Sequence, residues 1–143
     1  MKIIIGSDHA GFEMKEMLKI FLEKSGHTIL DKGTFSLEST DYPGYAHSVA
    51  TAVETTNDSI GILLCGSANG VCITANKHQG IRAALCWTEE VAHLAKAHND
   101  ANIIGIPARF VSNELAQKMV SIFLATPFEG GRHQRRVEKI ACG

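Results

Sequence analysis

The chain has 143 residues, of which 45% are hydrophobic and 20% are charged, and its formal net charge at pH 7 is −1. This length suits a single domain with a substantial core, and we expect residues 1–143 to form one. The near-zero charge argues against a nucleic-acid partner, which needs a concentrated basic surface. No apolar run is long enough for a membrane span or a signal peptide, so we expect a cytoplasmic protein without a membrane partner.

The hydrophobic pattern predicts strands and helices that alternate along the chain. Strands are predicted at residues 2–7, 28–30, 59–65, 81–86 and 103–106. Helices are predicted at residues 12–24, 43–53, 71–77, 88–98, 112–124 and 132–141. Short connections between alternating elements are typical of a parallel sheet with helices on both faces. We therefore predict an α/β, three-layer Rossmann-like fold with a five-stranded parallel sheet and a further helix at the C-terminus.

The cysteines give no sign of a metal site. They lie at Cys65, Cys72, Cys86 and Cys142 and form no C-x-x-C pair. Without that spacing zinc is disfavoured, and a reduced cytosolic setting is the default. We therefore expect neither a metal nor another cofactor.

Polar residues that directly follow strands are the first candidates for a site, because ligands of such sheets bind outside the carboxyl ends of the strands. These residues are Asp8, His9, Cys65, Ser67 and Arg109. Asp8 can accept a hydrogen bond from a hydroxyl, and His9 can donate one to a phosphate. A turn held by the Asp8 side chain, with an exposed histidine, is an equally good interpretation of that pair.

A small-residue turn, Gly66 to Gly70, separates the third strand from the next helix. Backbone N–H groups at a helix N-terminus bind anions and stabilise oxygens on which negative charge develops. The same helix end is expected to lower the pKa of the Cys65 thiol, which makes Cys65 a candidate base. The alternative is a buried structural cysteine beside a tight turn. The turn matches neither the Walker loop nor the dinucleotide fingerprint.

His98 ends the fourth predicted helix on the same face as Val91, Leu94 and Ala95. A helix C-terminus favours imidazolium, so His98 is a candidate proton donor, and Asn99 is a candidate hydrogen-bonding partner. A histidine that only caps the last carbonyl groups remains the alternative.

Arg132 and Arg136 are four residues apart and therefore share one face of the last predicted helix. Two neighbouring guanidinium groups suit a phosphate, and Arg109 would be a third. A solvated basic stripe is an equally good interpretation. Because this helix follows the five-strand unit, it is free to reach a partner subunit.

The chain resembles the type B ribose-5-phosphate isomerases from residue 1 to about residue 140. The wider family includes allose-6-phosphate isomerase and the two subunits of galactose-6-phosphate isomerase. The resemblance rests on six stretches, which are residues 6–12 (GSDHAGF), 41–43 (DYP), 65–67 (CGS), 75–77 (ANK), 98–102 (HNDAN) and 129–134 (EGGRHQ).

This resemblance implies a metal-free aldose–ketose isomerase of the pentose phosphate pathway, acting on ribose 5-phosphate and ribulose 5-phosphate. Cys65 would be the base that moves a proton through a cis-enediolate. One branch of the family has a glutamate base where this chain has Val71, so the chain falls in the cysteine branch. Ser67 and the backbone of the turn would hold the enediolate oxygens. The turn residues so implied are Gly66, Ser67, Ala68, Asn69 and Gly70.

The resemblance also implies roles for residues outside the turn. His98 would open the furanose ring, Asp8 would bind or help move the hydroxyl proton, and Asn99 would bind the sugar. The phosphate would be held by His9, Arg109, Arg132 and Arg136. The family forms homodimers or dimers of dimers, with active sites at the subunit interface.

One residue departs from the family pattern, because Ala68 stands where the family usually has glycine. If this position is left-handed, alanine costs roughly 1 kcal/mol or more. Two other functions remain open, which are isomerisation of allose or galactose 6-phosphate and non-catalytic sensing of a sugar phosphate or nucleotide. A thiol redox module is disfavoured because no C-x-x-C pair is present.

Overall fold

Five strands form one parallel sheet in the computed structural model, which describes residues 1–142. The strands are β1 (Lys2–Ser7), β2 (Thr28–Asp31), β3 (Ser59–Cys65), β4 (Ala83–Leu85) and β5 (Ile103–Pro107). Their order across the sheet is β2-β1-β3-β5-β4, and all neighbouring pairs are parallel. β1, β3 and β5 lie at the centre and are covered on both faces, which explains their nearly continuous apolar sequences.

Helices cover both faces of this sheet. They are α1 (Phe12–Lys24), α2 (Tyr42–Thr55), α3 (Asn69–Ala75), α4 (Glu89–Ala97), α5 (Asn113–Ala125) and α6 (Arg132–Glu138). α1, α4 and α5 pack on one face, and α2 and α3 pack on the other. The predicted fold class is confirmed, including the helix at the C-terminus. Within residues 1–142, no helix combines the length and apolar composition that a membrane crossing requires.

Each face of the sheet has its own hydrophobic core. Leu18 of α1 and Phe123 of α5 belong to the same buried cluster as Ile62 of β3. Leu63, the next residue of β3, belongs to the cluster of α2 and α3. Successive side chains of a strand point to opposite faces, so one apolar strand supplies both cores. This arrangement leaves the ends of the strands as the place for polar residues.

Some element boundaries differ from the sequence prediction. β4 begins at Ala83 rather than at residue 81, because the side-chain oxygen of Asn102 accepts from the N–H of Arg82 (2.8 Å) and turns the chain there. α3 begins at Asn69, two residues earlier than predicted, and α6 ends at Glu138, before residue 141. The start of β4 depends on this contact with a residue 20 positions away, which a local sequence pattern does not contain.

A buried ammonium group joins α1 to the end of β2. The side chain of Lys15 is fully buried, and its Nζ lies 2.6 Å from Oδ2 of Asp31 and 2.9 Å from Oε2 of Glu16. The other oxygen of Asp31 accepts from the N–H of Gly33 at 2.8 Å. Burial alone would raise the pKa of Asp31, but Lys15, Lys19 and the Gly33 amide outweigh it and lower the pKa. This ion pair therefore anchors the segment that follows β2.

Replacing Asp31 by alanine should destabilise the fold by about 3 kcal/mol, because it leaves the buried Lys15 ammonium without its closest partner. Urea unfolding at pH 7 measures this change. The wild type should also lose stability in acid. Because the folded-state pKa of Asp31 is lowered, its contribution is complete above the unfolded pKa of about 3.9 and disappears as pH falls through the folded value.

The double variant Lys15→Met/Asp31→Ala is the matched control. It removes both charges and should recover part of the loss, since no ammonium is left buried. A cost below about 0.5 kcal/mol for Asp31→Ala alone would contradict the anchoring role.

Candidate active site

The candidate site lies at the carboxyl ends of the three central strands. Ser7 is paired with Leu64, and Cys65 with Pro107, so β1, β3 and β5 end side by side. Backbone bonds continue this pairing beyond the strands, since Asp8 donates to Leu64 (3.3 Å) and Arg109 donates to Gly66 (3.1 Å). Five of the sequence candidates are thereby brought to one edge of the sheet. They are Asp8, His9, Cys65, Ser67 and Arg109.

The turn after β3 depends on a left-handed residue. Ala68 has φ 63° and ψ 0° and is the N-cap of α3. Ala68, which stands where the family usually has glycine, therefore does have a positive φ. This conformation costs roughly 1–2 kcal/mol for a residue with a Cβ. The Ala68 side chain is fully buried, so its packing offsets part of that cost.

The backbone N–H groups of Ser67, Ala68 and Val71, in and just after the turn, act to lower the pKa of the Cys65 thiol. Burial is the larger effect, and together with the negative charge of Asp8 it raises the pKa of the Cys65 thiol above its ordinary value. The expected lowering of this pKa is therefore wrong. Cys65 is only 5% exposed, and these three amides do not outweigh the loss of water.

Two side chains lie against the glycines of the turn. A Cβ atom on Gly66 would lie 3.0 Å from Nη1 of Arg109, so the guanidinium group passes directly over the turn. A Cβ atom on Gly70 would collide with the ring of Tyr42 in the first turn of α2. Tyr42 belongs to the family stretch at residues 41–43, but its contact with the turn was not predicted. An aromatic residue beside Pro43 at a helix start was the available signal.

Asp8 and His9 are both held by backbone groups. Oδ1 of Asp8 accepts from the N–H groups of Ala10 (3.0 Å) and Gly11 (3.2 Å) and caps a 3-10 turn at residues 9–11. The simple interpretation of a carboxylate that stabilises its own turn is thus correct for this oxygen. Nδ1 of His9 accepts from the N–H of Thr40 at 3.2 Å. These hydrogen bonds fix the Asp8 and His9 side chains just after the carboxyl end of β1.

The remaining candidates lie at the other end of the sheet, near the amino ends of the strands. They are His98, Asn99, Arg132 and Arg136. α4 returns the chain to the amino ends of the strands, where the carbonyl of Asn102 accepts from Gly61 N (2.9 Å) at the start of β3. The N–H of Glu129 donates to Ala97 O (3.0 Å), which fixes the segment before α6 at this edge. One copy of the chain therefore does not bring these residues to Cys65.

His98 lies in a cluster that the sequence did not predict. Its ring stacks on that of His133 with centroids 4.0 Å apart and an angle of 14°. Oε1 of Glu129 is 3.7 Å from Nε2 of both rings. Burial, followed by the charges of His98 and Arg132, lowers the pKa of His133. The His133 side chain is buried, and its ring is covered on one side by that of His98.

His98, Glu129 and His133 are residue types that can bind a metal ion. One donor atom from each of His98, Glu129 and His133 lies within 4.8 Å of the others. A metal ion binds in the plane of an imidazole ring, on the nitrogen lone pair. Two nearly parallel rings 4.0 Å apart cannot both direct a lone pair at one ion without rotating. The arrangement is therefore a poor metal site as it stands.

Comparison with known proteins identifies the family. The family model described as Ribose/Galactose Isomerase matches residues 3–140. The chain belongs to this family. It is 46% identical to ribose-5-phosphate isomerase B of Escherichia coli, an alignment that covers 99% of this chain and 95% of that protein.

Solved structures of family members have the same fold. A ribose 5-phosphate isomerase from Thermotoga maritima matches with a TM-score of 0.96 and 50% identity, covering 98% of this chain and 97% of that one. The Mycoplasma genitalium enzyme, solved with bound ribulose-5-phosphate, matches with a TM-score of 0.93 and 40% identity, covering 97% and 93%. The similarity to these family members therefore covers the whole fold.

Iodoacetamide should modify Cys65 slowly at pH 7 and faster at higher pH. Burial and the charge of Asp8 raise the pKa of the thiol above its ordinary value of 9.0, so the rate should still be increasing beyond that pH. The reason is that only the thiolate reacts. Asp8→Asn removes a charge that raises this pKa but keeps an oxygen to cap the turn, so its rate–pH curve should shift to lower pH. Mass spectrometry of the Cys65 peptide measures the rate, and the exposed Cys142 reports the reactivity of the reagent in the same sample. An identical curve in both proteins would contradict the influence of Asp8.

Proposed function

We propose that this chain interconverts D-ribose 5-phosphate and D-ribulose 5-phosphate, with Cys65 as the base. The observation that carries the proposal is a buried thiol at the carboxyl end of β3, beside the turn that leads into α3, in a chain that matches the isomerase family over residues 3–140. Relatives named for this activity, including one solved with ribulose-5-phosphate, support the choice of substrate.

The chemistry needs one base and a cradle for oxygen. The Cys65 thiolate removes the proton from C2 of the open-chain aldose, and the electron pair left behind forms the double bond of a cis-enediolate. The same proton returns to C1, which yields the ketose and restores the thiolate. Negative charge develops on the two oxygens, where Ser67 and the amides of the turn can donate hydrogen bonds. The proton of the C2 hydroxyl must also move to the oxygen on C1, and Asp8 would accept it from the first oxygen and return it to the second.

A phosphate anchor holds the substrate against the turn. On the carboxyl edge His9 and Arg109 are the donors, and the Arg109 guanidinium already lies over Gly66. Arg132 and Arg136 are exposed on α6 at the other edge and would complete the anchor from a second copy. Holding the substrate in a fixed orientation lowers the activation barrier by several kcal/mol, as it does when two reacting groups belong to one molecule.

The active enzyme is therefore proposed to be a homodimer, or a dimer of dimers, with sites between subunits. His98 and Asn99, which would open the ring and bind the sugar, lie at the amino edge and meet Cys65 only across an interface. Exposed apolar side chains beside the turn are consistent with such an interface, since Phe110 is 75% exposed and Trp87 is 53% exposed. The proposed setting is the pentose phosphate pathway in the cytoplasm.

A 6-phosphohexose is the second candidate substrate, because the family description names galactose as well as ribose. Both sugars undergo the same proton transfer, so the catalytic roles are unchanged. Parallel assays with ribose 5-phosphate and allose 6-phosphate distinguish the two.

Cys65→Ser should lower turnover of ribose 5-phosphate by about 10²–10⁴-fold, the usual contribution of a general base. Binding of inorganic phosphate should be retained, because the anchor does not include the thiol. Ketose formation with EDTA present and calorimetric phosphate binding measure the two effects. Cys142→Ser is the matched control and should behave as wild type, since Cys142 is an exposed cysteine. Full activity of Cys65→Ser would refute the assignment of the base.

Two inactive variants should complement each other if the site is shared. Mixing unfolded Cys65→Ala and His98→Asn chains and refolding them should restore up to about a quarter of wild-type activity, because half of the dimers are mixed and each mixed dimer has one intact site. Each variant refolded alone is the control. No recovery in a mixture that forms mixed dimers would show that Cys65 and His98 do not serve the same intersubunit site.

A further inference from the structure

His9 and its contact with the segment that follows β2 carry an inference about how the substrate phosphate is bound. Nδ1 of His9 lies 3.2 Å from the backbone nitrogen of Thr40, which donates to it. A backbone N–H can only donate, so Nδ1 must present its lone pair and carry no hydrogen. The hydrogen of the neutral ring is then on Nε2. An imidazolium ring has a hydrogen on both nitrogens and would lose this bond.

The position of Thr40 is itself held at both ends of its segment. Near β2, Ser7 exchanges two backbone hydrogen bonds with the segment, one to Gly33 O (2.7 Å) and one from Thr34 N (2.8 Å). At the far end the Thr40 hydroxyl is 2.9 Å from the Tyr45 hydroxyl of α2. The Asp31–Lys15 pair described above anchors the beginning of the segment. The donor that meets His9 is therefore part of a fixed scaffold.

We propose that the backbone N–H of Thr40 acts as a positioning group that selects the Nε2–H tautomer of His9, so that His9 binds the substrate phosphate as a neutral hydrogen-bond donor. This rests on the proposed function only for the identity of the phosphate ligand. The positive charge of the anchor then comes from the arginines, and His9 supplies direction. Nδ1 is occupied by Thr40, which leaves Nε2–H as the ring group available to the ligand.

Nuclear magnetic resonance of the wild type tests the tautomer without any substitution in the segment. Long-range ¹H–¹⁵N correlation at pH 8 should show His9 with an unprotonated Nδ1 and a protonated Nε2, the signals being assigned by their loss in His9→Gln. Inorganic phosphate should shift the Nε2 signal and leave Nδ1 unprotonated. A ring protonated on Nδ1 would overturn the proposal. So would signals that phosphate does not move.

Thr40→Pro and Thr40→Ala form a matched pair. Proline removes the donor N–H, whereas alanine keeps it and loses only the hydroxyl contact with Tyr45. Thr40→Pro should raise KM for ribose 5-phosphate about tenfold, the loss expected for a hydrogen bond to a charged group. Its kcat should stay close to that of wild type, and Thr40→Ala, which keeps the N–H but loses the hydroxyl anchor, should raise KM clearly less than Thr40→Pro does.

The outcomes separate the two proposals. An equal rise in KM for both Thr40 variants would refute a role for the N–H group. If Thr40→Pro does not fold, the tautomer measured in the wild type still decides the question. A wild type that is inactive on ribose 5-phosphate but shows the Nε2–H tautomer and a phosphate-dependent shift would refute the proposed substrate and support the role of Thr40.

Discussion

The common direction of the five strands is the constraint on which the rest of the structure depends. In a parallel sheet every strand ends at the same edge and every covering helix returns the chain to the other. Asp8, Cys65 and Arg109 each follow one of three adjacent strands, so they meet. His98 follows a helix and therefore lies at the opposite edge. The division of candidate catalytic groups between the two ends of the strands is a direct result of topology, and it is the reason why we propose a site shared between two copies.

The turn after β3 shows how local strain and burial act together at the proposed base. Ala68 adopts a left-handed conformation and is the N-cap of α3, and three backbone amides in and just after the turn act to lower the pKa of Cys65. The same compact turn excludes water, and the exclusion raises the pKa of the thiol more than the amides lower it. The net effect in this structure therefore favours the thiol over the thiolate. Strain of roughly 1–2 kcal/mol at one residue is tolerated because Cys65 and Val71, on either side of the turn, are both buried in the core formed with α2 and α3.

A buried ion pair at some distance from Cys65 helps to fix the residues at the carboxyl ends of the strands. The Lys15 ammonium has no exposed surface and connects α1 with Asp31 at the end of β2. From there the chain passes through Gly33 and Thr34, both bonded to Ser7, and reaches the amide that meets His9. The orientation of one imidazole ring thus depends on packing between a helix and an edge strand. Neither His9 nor Thr40 identifies this connection by residue type, since the partners are 31 positions apart.

The sequence alone determined the fold class and the carboxyl-edge candidates, because apolar periodicity specifies strands and helices and parallel sheets place their ligands at strand ends. It also determined the family through six short stretches. Tertiary structure alone decided the positive φ of Ala68, the net direction of the Cys65 pKa and the approach of Tyr42 to Gly70. It also separated His98 and Arg132 from Cys65. These properties depend on water exclusion and on contacts between residues distant in the chain, and a linear pattern records neither.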